Sequence, residues 1–372
     1  MKRRTALGAL ASTAFAPFVP RRTEAAGDIV FGVSGPFSGD DADYGRVWKL
    51  GMNLAIEEIG RAGGVGGHRL SLDYEDTQSD PKQSVVVAER FAGDPRILAE
   101  LGDFSSAASI AAAPIYQRAH LVQFGFTNSA PAFTEAGTFM WSTSRTTRQD
   151  SALIARTTHV HYGRKHAVVY QASAWGTSAA GAYGDAAKRL GADIVVFESY
   201  LADQKDFRAL LSKVRDAGPD VLVLFAYDTD GALILAQAAD VGLQAKIVTS
   251  GACYNQRFID LGGDAVEGVV MPVEFFSGDT RPDIRRFVDR YTARYHEPPD
   301  LFAAYAYDSV NILAFAAKHG GFTRDGARSA LSDARSIPSV VNGAFHFGPD
   351  RRVVNGRAIL ITVKNHTFVP VV

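Results

Sequence analysis

Two short stretches of the 372-residue chain are dense in hydroxyl and amide side chains: Gly102-Asp-Phe-Ser-Ser-Ala-Ala-Ser109 and Gly125-Phe-Thr-Asn-Ser-Ala-Pro131. Each follows a short apolar run, and the first leads directly into an alanine-rich segment with helical character. The free N–H groups at a helix start, together with serine hydroxyls, make a receptor for a carboxylate. Ser105, Ser106, Thr127 and Ser129 can therefore converge on one anionic group. The same residue types also serve as plain helix caps and turn formers, so the pattern alone leaves both uses open.

Other chemistry is missing from the chain. There is no G-x-G-x-x-G after the first strand, no phosphate-cradling G-x-x-x-x-G-K-[ST], no G-x-S-x-G and no H-E-x-x-H, which removes the common nucleotide-dependent, hydrolytic and zinc-dependent classes. Gly63-Gly-Val-Gly-Gly67 follows a helix and precedes a strand, the reverse of the order that cradles a pyrophosphate, and reads as a helix stop. His159 and His161, two apart on a helix, point to different faces, and no carboxylate is spaced to join them or His166 around a metal. Cys253, the single cysteine, can form neither an internal disulfide nor a thiolate cluster and reads as a buried small residue. No catalysis, cofactor or metal is expected.

These residues need elements to hold them, and the chain alternates strand and helix. Asp28–Val33, 70–74, 97–101 and 121–124 read as strands, with helices from 43 to about 62, from Asp80-Pro81 through Phe91, and from 107 to 119. A second series restarts at Ser151: helix to 162, strand 167–170, helix 177–190, strand 194–197, helix 204–217, strand 221–225, helix 229–241 and strand 246–249. Such alternation predicts an α/β fold with two doubly wound parallel sheets, the ligand lying beyond the carboxyl ends of the strands. Composition agrees. At 47% hydrophobic and 21% charged the chain is globular and long enough for two domains. Lys plus Arg number 39 against 40 for Asp plus Glu, a formal charge of -1, without the basic surplus that nucleic acid requires.

Residues 1–25 read as a signal peptide: Lys2-Arg-Arg4, then an apolar run from Thr5 to Val19 too short to span a bilayer, then small residues near Ala25. The Arg3-Arg4 pair admits twin-arginine export as well as the general route. No cysteine follows the run to carry a lipid, so the expected product is exported and soluble, in a Gram-negative periplasm.

Several motifs, in order, resemble one family. Ser34-Gly-Pro-Phe-Ser-Gly39 with Tyr44-Gly45, Ala62-Gly-Gly-Val-Gly-Gly67, Asp80-Pro-Lys82, Phe104-Ser-Ser-Ala-Ala-Ser109, Ser173-Ala-Trp-Gly176, Lys205-Asp-Phe207, Gly262-Gly-Asp-Ala-Val-Glu-Gly268 and Tyr305-Ala-Tyr-Asp308 are similar to the Leu/Ile/Val-binding proteins, type I periplasmic solute-binding proteins of ABC importers. The resemblance implies two Rossmann-like lobes joined by three crossovers and closing on a ligand: residues 28–147 with 275–355, and 148–274 with 356–372. It further implies that Ser106 and Ser129 hold a ligand carboxylate and that the carbonyl of Thr127 accepts from its ammonium. Tyr44 and Phe302 would stand on one cleft wall, and Trp175 and Tyr227 would close from the other. The implied partners are a small-molecule ligand and an inner-membrane ABC permease, with the protein a monomer.

One departure stands out. The amino-acid binders of that family carry a glutamate for the ligand ammonium near Gly251, where this chain has Thr249-Ser-Gly-Ala-Cys253. Asp228, Asp230 or Asp103 can replace it, Asp230 equally serving as a helix cap. The leading expectation is a branched-chain or other hydrophobic amino acid. The alternatives are an amide, urea or an aromatic or keto carboxylate on the same fold, or a ligand-sensing module of a membrane receptor. A hydrolase or dehydrogenase on a doubly wound scaffold is the remaining class.

Overall fold

The computed structural model describes residues 28–354 and 356–371; the proposed signal peptide lies outside them. Twelve strands among the described residues form two sheets. The first contains β1 (Ile29–Gly35), β2 (Leu70–Asp76), β3 (Ile97–Leu101), β4 (Val122–Phe124) and β5 (Met140–Trp141), all parallel, in the order β2-β1-β3-β4-β5. The second contains β6 (Lys165–Gln171), β7 (Asp193–Tyr200), β8 (Val221–Phe225), β9 (Lys246–Thr249), β10 (Val270–Val273), β11 (Ile359–Lys364) and β12 (Thr367–Pro370). Its order is β12-β11-β10-β9-β8-β6-β7, with β11 and β12 added antiparallel at one edge. Read from β7, the five parallel strands repeat the arrangement of the first sheet. Each lobe therefore has its own point where the strand order reverses, between β1 and β3 and between β6 and β8. A crevice opens there at the carboxyl ends.

The apolar runs behave as the sequence predicts: β3 and β8 are buried along their whole length, as strands covered on both faces must be. Asp80 caps the helix Pro81–Gly93 through the N–H groups of Lys82 and Gln83. Three helices differ at their starts. Thr146 and Gln149 form a capping box that begins the helix Thr147–His161 four residues before Ser151. Ser173 accepts from the Gly176 N–H and so places Trp175 in the first turn of the helix Ala174–Arg189, not in the preceding loop. The helix expected at 204–217 spans only Arg208–Asp216. The glycine cluster ends a helix: Gly63 and Gly64 have φ of 91° and 80°, a region open to glycine without steric cost.

Beyond β10 the chain re-enters the first lobe, where the helix Leu301–His319 packs along the helix Ala42–Arg61. Asp308 on that helix accepts from Ser339 Oγ and the Val340 and Val341 N–H groups, fixing the segment that leads back toward β11. Among the described residues no helix is long and apolar enough to cross a membrane.

One buried cation organises the site loops. Arg352 is 4% exposed. Its guanidinium donates to the carbonyls of Asn128 (2.8 Å), Ser144 (3.2 Å) and Ala130 (2.8 Å) and to Thr134 Oγ1 (3.2 Å). Burial lowers its pKa to about 10, which leaves it charged at neutral pH. Replacing it by methionine would remove four buried hydrogen bonds from a charged donor, at a cost of about 3 kcal/mol or more. Arg352→Met is expected to lower the unfolding free energy by that much, read as a fall in the chemical-denaturation midpoint at unchanged slope. Arg352→Lys is expected to recover only a fraction, since one ammonium cannot span the fork.

Candidate functional site

The carboxyl ends of the two sheets face each other across a cavity of about 600 Å³, mouth included. From the first lobe it is lined by Phe104, Ser106, Thr127, Ser129, Leu301, Phe302 and Tyr305; from the second by Trp175, Tyr227, Ser250, Gly251, Ala252 and Pro272. Ser144, Asp150 and Glu274 come from segments next to the lobe crossings. Six residues expected at the site from sequence thus meet on its walls: Ser106, Thr127, Ser129, Trp175, Tyr227 and Phe302.

The anion end is built from two loops tied together. Ser106 is the first residue of the helix Ser106–Arg118, and no side chain caps that helix. The Asn128 amide donates to the Asp103 carbonyl, Ser142 Oγ donates to the Asn128 carbonyl, and the Asp103 N–H donates to Ser109 Oγ at 2.8 Å. This holds the 126–131 loop against the helix start. Ser106 and Ser129, 3% and 9% exposed, line the cavity with hydroxyls not engaged by other described side chains. Uncapped N–H groups and two unengaged hydroxyls at one helix start suit a carboxylate.

Flat walls face this end. The Trp175 and Tyr227 rings stack at 4.9 Å with 15° between planes. Tyr227 meets Phe104 of the other lobe at 5.0 Å. Such walls exclude water and strengthen hydrogen bonds formed inside.

Three expected residues take other places. Tyr44 lies behind the wall, since the Phe104 ring stacks over it at 4.2 Å. Its hydroxyl instead donates to the Ala252 carbonyl and accepts from the Asp228 N–H, both at 3.1 Å and both in the second lobe. Ser105 is the N-cap position and does not line the cavity; successive residues at a helix start point about 100° apart, and here Ser106 takes the inward direction. Asp228 is 2% exposed, and its carboxylate is spent on Asn255 Nδ2 at 2.8 Å and the Thr229 N–H at 2.7 Å. The other candidate acids are also occupied. Asp230 accepts from Tyr200 Oη and Gln171 Nε2, and Asp103 from the hydroxyls of Thr77, Ser79 and Ser84. Burial raises the pKa of all three against these hydrogen bonds.

A further group of residues, to which the sequence did not point, lines the cavity beside the lobe crossings. Arg145 Nε pairs with Asp150 Oδ1 at 2.6 Å, and the Arg145 N–H donates to Glu274 Oε1 at 3.3 Å. Burial raises the pKa of both acids, with Asp150 adding to the shift of Glu274 and Arg145 opposing it. Asp150 has 26% of its side-chain surface accessible although its charge is strongly desolvated, as fits a group that opens into a cleft instead of bulk water. Glu274 stands alone in the run Val270-Met-Pro-Val-Glu-Phe-Phe276. A charge set in an apolar strand end was the signal available; Asp150, at a helix start, carried none.

No group of three His, Cys, Asp or Glu side chains is placed to hold a metal among the described residues. His166 is engaged by Tyr183 Oη and the Gly163 carbonyl. Cys253 is fully buried, and burial pushes its thiol pKa up, the opposite of an activated nucleophile.

A family model described as periplasmic binding protein matches residues 28–367. The chain belongs to the periplasmic binding protein family. Among relatives of this binding protein, the Leu/Ile/Val-binding protein homolog 1 of Brucella melitensis is 30% identical over 300 residues, covering 79% of each chain. A leucine-binding protein from Thermotoga maritima superposes with a TM-score of 0.87 at 22% identity, over 92% of this chain and 98% of that one. An ABC transporter substrate-binding protein from Desulfitobacterium hafniense, in complex with Leu, gives 0.80 at 25% identity over 92% and 100%. The fold is the type I periplasmic binding fold.

The Tyr44 hydroxyl bonds from the first lobe to two partners that both sit across the cleft. Tyr44→Phe is expected to keep the fold and to speed hydrogen exchange at the Asp228 amide by up to about tenfold, the loss of one hydrogen bond of about 1 kcal/mol. Mass-spectrometric exchange of the peptide around Asp228 reads this directly. An unchanged rate would mean that this bond does not protect the Asp228 amide and does not help to hold the lobes together.

Proposed function

We propose that the chain is the periplasmic solute-binding subunit of an ABC importer. It captures a branched-chain or other hydrophobic amino acid by hinge closure and presents the closed complex to an inner-membrane permease. In this reading the protein is exported by its N-terminal signal, acts as a monomer and performs no catalysis. The lobes comprise residues 28–147 with 275–355 and 148–274 with 356–372. Ser106 and Ser129 take the ligand carboxylate, the Thr127 carbonyl faces its amine, and Trp175, Tyr227 and Phe302 cover its apolar part.

A single arrangement supports this reading most: unengaged serine hydroxyls at an uncapped helix start lie opposite a stacked aromatic pair, at the facing switch points of two sheets. A small carboxylate with an apolar body satisfies both sides at once, the first by charge-assisted hydrogen bonds and the second by burial. The names of the relatives, Leu/Ile/Val-binding protein and leucine-binding protein, point to the same class of ligand.

The test is calorimetry on protein freed of carried-over ligand by unfolding and refolding. Leucine, isoleucine, valine or phenylalanine is expected to bind, and to raise the melting temperature because it binds only the native state. Ser106→Ala is expected to weaken that binding by about 1 to 3 kcal/mol. Equal affinity in the wild type and the variant would remove Ser106, and with it the carboxylate end, from the site.

A further inference from the structure

We propose that Glu274 is the group that receives a protonated amine of the ligand, in place of the aspartates near the second-lobe helix starts. The proposal rests on the solute-binding reading above and narrows its ligand class to amine-bearing solutes, against amides, urea and amine-free aromatic or keto acids.

Glu274 lies directly after β10, where the chain leaves the second lobe, and its side chain lines the cavity. Among the described residues it accepts one backbone hydrogen bond, from Arg145, and it forms no ion pair. The nearby guanidinium is spent elsewhere, on Asp150 Oδ1 and on the Gly356 carbonyl, both at 2.6 Å. Arg145 therefore pairs with Asp150 and leaves Glu274 without a cation among the described residues. A second observation points the same way. Tyr305 lines the same cavity and is 2% exposed, and its buried hydroxyl lies beside Glu274 and Ser144 without reaching full hydrogen-bond geometry to either.

One guanidinium faces two buried acids, and burial raises the Glu274 pKa to about 8, so Glu274 keeps its proton at neutral pH until a cation arrives. A buried unpaired carboxylate is costly, and an incoming ammonium removes that cost by supplying charge and several donors at once. A neutral amide brings donors without charge, and a bare carboxylate would keep Glu274 in its protonated form and gain no ion pair there. The other candidate acids do not line the cavity, and Asp228, Asp230 and Asp103 each already accept from at least two neighbouring donors. An amino acid spanning Ser106 and Glu274 thus meets opposite charge preferences at its two ends.

The experiment compares wild type, Glu274→Gln and Ser106→Ala, all refolded free of ligand, by thermal shift and then calorimetry. The probes are the standard L-amino acids, benzoate, urea and acetamide. For the tightest amino acid, its deaminated acid and its decarboxylated amine are added. The expected result is that at least one amino acid binds the wild type, that its deaminated acid binds weaker by about tenfold or more, and that Glu274→Gln weakens the amino acid by a similar factor while leaving the deaminated acid unchanged. Binding confined to diamino acids such as lysine, lost in Glu274→Gln, also supports the proposal and places a side-chain amine at the glutamate.

Undiminished amino-acid affinity in Glu274→Gln would overturn the proposal, as would deaminated acids, benzoate, urea or acetamide binding the wild type as tightly as amino acids. In those cases a loss caused by Ser106→Ala leaves the carboxylate reading standing, whereas no loss removes both. Silence of the wild type toward every probe overturns both. Should Glu274→Gln fail to fold, the amino acid against its deaminated acid on the wild type decides alone.

Discussion

The buried guanidinium of Arg352 ties its own segment to two others, 128–134 and the turn at Ser144. Through the carbonyls of Asn128 and Ala130 it fixes the loop carrying Thr127 and Ser129, and through Ser144 it fixes the first crossing between lobes. Loop carbonyls under a covered surface cannot turn to water, so an unpaired loop there would be prohibitively unstable. A buried charge is costly in turn, and it is tolerable here because its fork finds four acceptors. The geometry of the anion end is in this sense a consequence of one arginine more than two hundred positions downstream.

With that loop fixed, the placement of everything else follows from strand order. Parallel strands deliver all their outgoing loops to one end, and the reversal of order in each sheet leaves a crevice between neighbouring loops. The two lobes set such crevices face to face. A run of rings, Trp175, Tyr227, Phe104, Tyr44 and Phe302, then crosses from one lobe to the other with successive centroids 4.2 to 5.0 Å apart. Offset and edge contacts of this kind add to simple burial. They also tolerate a hinge motion better than directional hydrogen bonds would, because aromatic faces can slide. The one cross-cleft hydroxyl in the run, that of Tyr44, gives the closed arrangement a defined register.

How much of this can be read from the sequence depends on the range of the physics involved. Strands such as Val221–Phe225 are contiguous apolar runs, and Asp80-Pro81 is a cap and a first helical residue side by side, so both are legible locally. The hydroxyls of Ser106 and Ser129 are legible for the same reason. The helix Leu301–His319 is buried on nearly every face and therefore lacks the amphipathic period that would mark it. The edge strands β11 and β12 are short and half exposed. Glu274 is hidden more deeply, since its meaning comes from Arg145, 129 positions away, and from how Arg145 spends its other donors. Tyr44 shows the converse: its residue type suggests a ligand wall, and only packing reveals that Phe104 stands between it and the cavity.

Arg145 also shows why a ligand charge would matter to the motion as well as to the affinity. Its N–H and guanidinium contact Glu274 after β10, Gly356 before β11 and Asp150 on the helix after β5. Those are the three places where the chain passes between lobes. Crossings that share one hub are coupled, and two of the hub's partners here, Asp150 and Glu274, line the cavity. Changing the charge balance at Glu274 changes the field at the residue that joins all three crossings. A ligand can shift an open–closed equilibrium only through a difference in its interaction with the two states. Contacts made beside the crossings supply such a difference only if they form or strengthen as the crossings bend. The tight set of bonds around Arg145 is where that change would be felt first, whereas a contact confined to one lobe, such as that of Ser106, contributes to affinity in both states alike.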